Sequence, residues 1–262
     1  MSEDCDPIKL PPPPTAAAMA LADVLLAPWR AVARPTFAGV DRIPETGPVL
    51  IVGNHSTYGA LDVPLVLEQV YRLRKISIRT LGDRLHDSIP GWREFLRAMG
   101  AVQASQANAR ALLEQGQHVL VFPGGAREVN KRRGQQYQLL WEGRLGFAKL
   151  AQSVGCPVVP LASVGADELY DIVADADSPL LKPLQDLIVR RVGRDDMLPP
   201  LGWGLGPTFI PKLQQLSFSF GDPIDAAAYG AHQVQELRDV VKTVLEDQIS
   251  ALRARREKPN PT

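Results

Sequence analysis

Cysteine is scarce in this chain: Cys5 and Cys156 are the only two among 262 residues. Two cysteines cannot build a disulfide framework, and these lack metal-ligand spacing, so no metal is expected and a reducing, cytoplasmic compartment is. A surplus of either charge is also missing, since 29 lysines and arginines balance 29 aspartates and glutamates. Dedicated nucleic-acid binders are normally basic, so nucleic acid is not an expected partner. No run reaches the ~18–20 uninterrupted apolar residues of a membrane-spanning helix. The nearest, Thr15 to Ala33, is broken by Asp23, Pro28 and Arg30. The acidic start Ser2-Glu3-Asp4 after Met1 is unlike a secretory signal. Any membrane contact is therefore expected at the surface. Internal repeats, a Gly-x-Ser-x-Gly nucleophile elbow and a Walker-type phosphate loop are absent as well.

What remains is an ordinary globular composition, 45% apolar and 22% charged. Residues 1–14 read as a disordered, proline-ended tail. Residues 15–33 read as an N-terminal amphipathic helix, either packed on the domain or lying in a lipid interface with Trp29 and Arg30 at its boundary. One domain is expected over residues 34–256, with a short C-terminal tail at 257–262. Inside it, short β-branched apolar runs alternate with helical stretches. Val49–Gly53, His118–Phe122 and Pro157–Ala162 suit strands buried on both faces, and Ile76–Leu81 suits a fourth. Gln215–Phe220 alternates polar and apolar residues, as an edge or half-exposed strand does. Helices are expected over 62–73, 91–99, 106–115, 143–154 and 232–256, the third capped by Ser105 and the fourth ended by Gly155. The fold class is α/β, with a mixed, largely parallel central sheet flanked by helices.

Two segments concentrate chemistry, each directly after a buried strand, where loops of open α/β sheets form active sites. The first is Gly53-Asn-His-Ser-Thr-Tyr-Gly-Ala-Leu-Asp62. An imidazole held by a carboxylate takes a proton from an alcohol near neutral pH, which makes His55 a candidate general base and Asp62 its candidate partner. Seven residues of straight helix would separate the two by ~10 Å, so pairing requires a turn at Ser56–Gly59. Otherwise Asp62 is a helix cap. The second segment is Val121-Phe-Pro-Gly-Gly-Ala-Arg-Glu128. Gly124 and Gly125 allow backbone N–H groups to converge on an anion or oxyanion. Arg127 suits a phosphate or carboxylate, and Glu128 suits orienting it. The same residues also fit a tight turn with a surface ion pair. The basic run Lys131-Arg-Arg133 is either solvated or set to meet a headgroup or coenzyme A phosphates.

Together these blocks resemble the glycerolipid acyltransferase superfamily, closest to its diacylglycerol acyltransferase-like branch with the acyltransferase domain of phytyl ester synthases. NHSTYGALD resembles the first block of that branch, IPGWREFLRAMGAVQAS (Ile89–Ser105) the second and FPGGAREV the third. The segment from Arg132 to Asp171 and the late SFSFGDPID also fit, so the likeness runs from about residue 36 to 247.

The resemblance implies that residues 34–256 transfer a fatty acyl group from acyl-CoA or acyl carrier protein to a lipid hydroxyl, with no cofactor beyond that donor. His55 matches the family's general base. Its acid matches Asp62 only with two extra residues, since His-x4-Asp spacing lands on Ala60. Against the Phe-Pro-Glu-Gly-Thr-Arg block of the lysophosphatidic acid branch, Gly124 replaces Glu and Ala126 replaces Thr, while Arg127 is kept. Losing a carboxylate and a hydroxyl favours a neutral acceptor such as diacylglycerol or a long-chain alcohol. Expected partners are a thioester donor, a lipid acceptor and a membrane or lipid-droplet surface, here the inner face of a membrane. Rival expectations are a lysophospholipid acceptor, a hydrolase activating water through His55, and a non-catalytic lipid-binding relative.

Overall fold

The computed structural model describes residues 10–59, 61–83, 91–230 and 232–257. Its centre is a seven-stranded sheet. The strands are β1 (Thr36–Ala38), β2 (Val49–Gly53), β3 (Ile78–Gly82), β4 (Ala101–Gln103), β5 (His118–Val121), β6 (Val158–Val164) and β9 (Ser217–Phe220), in the order β1-β9-β6-β2-β5-β3-β4. All neighbours are parallel except β6 and β9. A separate antiparallel pair joins β7 (Asp171–Ala174) to β8 (Leu201–Trp203).

The alternation along β2 explains the layering. Leu50 and Val52 face α4 (Gln106–Glu114), α6 (Gly146–Val154) and α8 (Val234–Glu257), whereas Val49 and Ile51 face α1 (Ala16–Ala33) and α2 (Val63–Arg74). Both faces are thus covered, which is why β2, β5 and β6 are mostly apolar rather than alternating, with His118 and Ser163 as the polar positions of β5 and β6. Leu237, Val241, Leu245, Ile249 and Leu252 form the buried stripe of α8. Each is worth about 1.5–3 kcal/mol of apolar burial. α3 (Trp92–Ala98) packs Phe95 on the α1–α2 side, and α7 (Lys182–Val192) and the single turn α5 (Ala126–Val129) after β5 complete the helices.

Several expectations are corrected. β9 is not an edge strand, because β1 lies outside it, and Ser217, Phe218 and Phe220 are buried. Its polar positions are serines, small enough to bury, and Ser217 accepts a hydrogen bond from the Thr36 hydroxyl at 3.1 Å. Residues 10–14 lie against the domain: Leu10 packs on the core, and the Pro11 carbonyl accepts from the buried Arg79 guanidinium at 2.9 Å. The remainder of the expected N-terminal tail, residues 1–9, lies outside the described residues, as do Ala60, Ile89, Pro90 and the C-terminal residues 258–262.

α1 packs against α2 through Met19 and Ala22 and leaves Leu21, Val24 and Leu25 exposed. Among the described residues it is the one helix long and apolar enough to cross a bilayer, with 18 residues and a mean hydropathy of 1.4. Its charges are tied inward, however. Arg30 pairs with Asp23 at 2.8 Å and with the buried Glu68 of α2 at 3.1 Å.

Candidate active site

Strand register builds the site. β2 and β5 are parallel neighbours with Val52 level with Val121, so the chain leaves both strands at the same edge. The His55 segment and the glycine turn, 73 residues apart in sequence between His55 and Glu128, therefore meet. On the other side β6 places Ser163 beside Asn54, whose amide exchanges two hydrogen bonds with the Ser163 backbone at 2.9 and 2.8 Å. That amide continues the ladder one residue past the strand and fixes where the loop departs.

The His55 imidazole stacks on Phe122, with ring centroids 4.1 Å apart and planes inclined by 19°. Gly59 closes over it. A Cβ there would collide with Cε1 and stand 2.9 Å from both ring nitrogens. The turn that brings Gly59 back uses two successive left-handed residues, Tyr58 (φ 64°) and Gly59 (φ 57°). Tyr58 is held there by its N–H to the Val129 carbonyl and by its hydroxyl to the Pro200 carbonyl, both at 2.8 Å. The half-buried imidazole lines a narrow slot of about 60 Å³ with Val63, Pro64, Leu67, Leu96 and Met99. Among the described residues lining the slot, His55 is the one with a titratable side chain.

The turn expected at Ser56–Gly59 is present, with the Gly59 N–H on the Ser56 carbonyl at 3.0 Å. Asp62 nevertheless caps α2, accepting the Val63 N–H at 2.9 Å. Its other oxygen accepts from Ser163 at 3.3 Å, and Ser56 also bonds to it. Among the described residues these are its partners, and His55 is not one of them. Burial pushes the Asp62 carboxyl above its ordinary range, with the Ser56 and Val63 bonds opposing.

The residues of the second segment disperse. The Gly125 N–H is committed to the Phe122 carbonyl at 3.0 Å. Arg127 points away from the slot into a polar hollow of about 410 Å³, pairing with Glu142 at 2.6 Å and Asp195 at 3.4 Å. Glu128 is fully buried beneath the site, accepting the N–H groups of His55 at 2.8 Å and Leu140 at 3.0 Å. Burial pushes its carboxyl up to about 7, against the opposing effects of Lys131 and the two N–H bonds.

Lys131 is not on the surface, as a solvated basic run required. It is buried, with Nζ on the His55 carbonyl at 2.6 Å and on Asp167 at 2.8 Å. Asp167 also accepts the Thr57 N–H at 2.7 Å and the Tyr137 N–H at 2.8 Å. Sequence reading missed Asp167, Thr57 and the Phe122 stack. Of these only Phe122, next to the glycine turn, carried a local signal.

A profile of the family described as Acyltransferase matches residues 34–164. Phytyl ester synthase 2, chloroplastic, of Arabidopsis thaliana is 32% identical over 238 residues, covering 83% of this chain and 34% of that protein. The DGAT1/2-independent enzyme synthesizing storage lipids of Bos taurus is 27% identical over 123 residues, covering 47% of this chain and 36% of that protein. The chain thus spans about a third of the length of either relative. The crystal structure of the 1-acyl-sn-glycerophosphate (LPA) acyltransferase PlsC from Thermotoga maritima superposes with a TM-score of 0.60 at 18% identity, covering 91% of this chain and 79% of that one. At that identity the likeness is one of fold.

Proposed function

Because the chain belongs to the acyltransferase family, in the glycerolipid acyltransferase superfamily, and is an acyltransferase, we propose that it moves a fatty acyl group from an acyl thioester to a neutral lipid hydroxyl, with His55 as general base. The observation that carries this is the position of the imidazole, stacked on Phe122 and lining an apolar slot. The acceptor hydroxyl gives its proton to the imidazole as its oxygen attacks the thioester carbonyl. The oxyanion takes a hydrogen bond from the Gly124 N–H. Collapse expels the thiolate, which recovers the proton from the imidazolium, so neither an acyl-enzyme nor a cofactor is required. The apolar lining disfavours bound water beside the imidazole, which favours transfer over hydrolysis.

Two features support a neutral acceptor. Among the described residues the slot lining carries no lysine or arginine, and Arg127, the residue matching a phosphate ligand, is occupied by Glu142 and Asp195. The relatives named for phytyl ester and storage-lipid synthesis point the same way. The test is a comparison of initial rates with labelled acyl-CoA and diacylglycerol, a long-chain alcohol or lysophosphatidic acid. A preference for either neutral acceptor is expected, and a preference for lysophosphatidic acid reverses the assignment.

The enzyme works at a membrane or lipid-droplet surface. α1 offers Leu21, Val24 and Leu25, and β8 and the loop after it expose Trp203, Leu205, Phe209, Ile210 and Leu213. No charged residue occurs from Met197 to Pro211. The loop meets part of its own backbone needs: Gly204 N–H bonds to the Thr208 carbonyl at 2.8 Å and Leu205 N–H to the Ile210 carbonyl at 2.7 Å. Self-satisfied polar groups are what an apolar phase demands. Tyr58 ties β8 to the His55 turn, so the site adjoins this face.

A further inference from the structure

The backbone of His55 is held on both sides of its Cα by residues that take no part in the proton transfers above. Glu128 accepts its N–H at 2.8 Å, and Lys131 Nζ donates to its carbonyl at 2.6 Å. Neither residue lines the slot, and both are fully buried. Each is fixed in turn, Glu128 by the Leu140 N–H and Lys131 by Asp167, which also grips Thr57 two residues beyond His55. Low surrounding polarity strengthens such hydrogen bonds.

The path of the Glu128 side chain is equally informative. It lies across Gly124, where a Cβ would collide with its Cγ and Cδ. The φ of Gly124 is outside the left-handed region, so its backbone would accept a side chain. What keeps position 124 bare is the occupant of the space above it.

We propose that Glu128 is a positioning residue that aims the His55 imidazole, its carboxylate filling from position 128 the volume a glutamate at position 124 would enter, with Lys131 as the opposite grip. The carboxylate missing from the Phe-Pro-Glu-Gly-Thr-Arg comparison is thereby supplied from four residues later. The proposal rests on His55 being the base. Phe122 and Gly59 confine the ring, so a shift of the His55 backbone is passed to its reacting nitrogen. Misplacement by ~1 Å costs on the order of 10²-fold in rate.

The test uses the full chain, labelled acyl-CoA and the best neutral acceptor. Glu128→Gln keeps one acceptor oxygen and turns an amide N–H toward the other backbone donor. It is expected to lower kcat by at least about tenfold with KM changed less than about twofold, the pattern of a lost transition-state interaction. Glu128→Ala is expected to lose about 10²-fold, and adding Gly124→Glu to it to restore at least about tenfold. A general loss of packing would not be repaired by a second substitution that adds bulk. Wild-type kcat in both single variants, or a rise in KM with kcat unchanged, overturns the positioning role. Failure of Gly124→Glu to restore rate, in a double variant that melts like Glu128→Ala, overturns the shared volume. His55→Ala is assayed alongside. If it keeps full rate, the assignment of the base fails, and that outcome is distinct from one in which His55→Ala is inactive while both Glu128 variants are normal.

Discussion

Replacing Gly59 by alanine places one methyl group where the imidazole lies. The new Cβ would collide with His55 Cε1 and stand 2.9 Å from both ring nitrogens. Favourable contact needs about 3.5 Å, so the ring must move by roughly 1 Å. Phe122 already occupies one face at 4.1 Å, which removes that direction of escape. Gly59 also sits at φ 57°, where an L-residue costs about 1–2 kcal/mol. That is small beside a typical stability of about 5–15 kcal/mol, so the fold persists and Tm falls by about 2–8 °C. The rate falls much further, by about 10²-fold, because the base no longer meets the acceptor hydroxyl. Ester formation from labelled acyl-CoA and diacylglycerol, with a thermal melt of the same preparation, measures both. A variant that melts a few degrees lower yet turns over normally would refute the placement of the reacting centre at this ring.

Asp62→Asn keeps the cap on Val63 but weakens the Ser56 and Ser163 bonds, so stability falls by about 1–2 kcal/mol while kcat stays well above that of His55→Ala. An equal loss of kcat without a change in Tm would instead make Asp62 the imidazole's partner. Glu128 gives a pH dependence of defined sign. Its carboxyl rises from 4.5 to about 7 on folding, so the native state binds that proton more tightly. The resulting stabilisation, about 3 kcal/mol, is complete below pH ~4.5 and disappears as pH rises through about 7. Urea unfolding at pH 5 and 8 should show it in the wild type and not in Glu128→Gln, and identical pH dependence in the two would contradict it. Phe209→Glu with Ile210→Glu should weaken binding to phosphatidylcholine vesicles containing diacylglycerol by more than about tenfold, since each side chain is worth about 1.5–3 kcal/mol when buried. Unchanged binding, with loss on Leu25→Glu alone, would confine the contact to α1.

The sheet was legible because β2, β5 and β6 are short, rich in β-branched residues and largely apolar on both faces, the pattern of a parallel sheet covered on both sides. Their register then follows from packing, and it carries His55 and the glycine turn to one edge. β9 misled because alternation normally reports one wet face, whereas Ser217 buries with a hydroxyl partner. The site was legible in its residue types and not in its pairings. Glu128 reaches His55 across 73 residues and Lys131 reaches Asp167 across 36, contacts that no local spacing encodes. Lys131 beside two arginines looks solvated in sequence, and only the loop folding over it shows otherwise. Arg127 is the converse case, a motif residue whose side chain turns to Glu142 and Asp195 in a different hollow.

The most direct measurement is the turnover of His55→Ala and His55→Gln with labelled acyl-CoA, with and without diacylglycerol, beside their melting curves. A fall in ester formation of at least ~10²-fold at nearly unchanged Tm is the predicted result. Ester formation at the wild-type rate in either variant would contradict it.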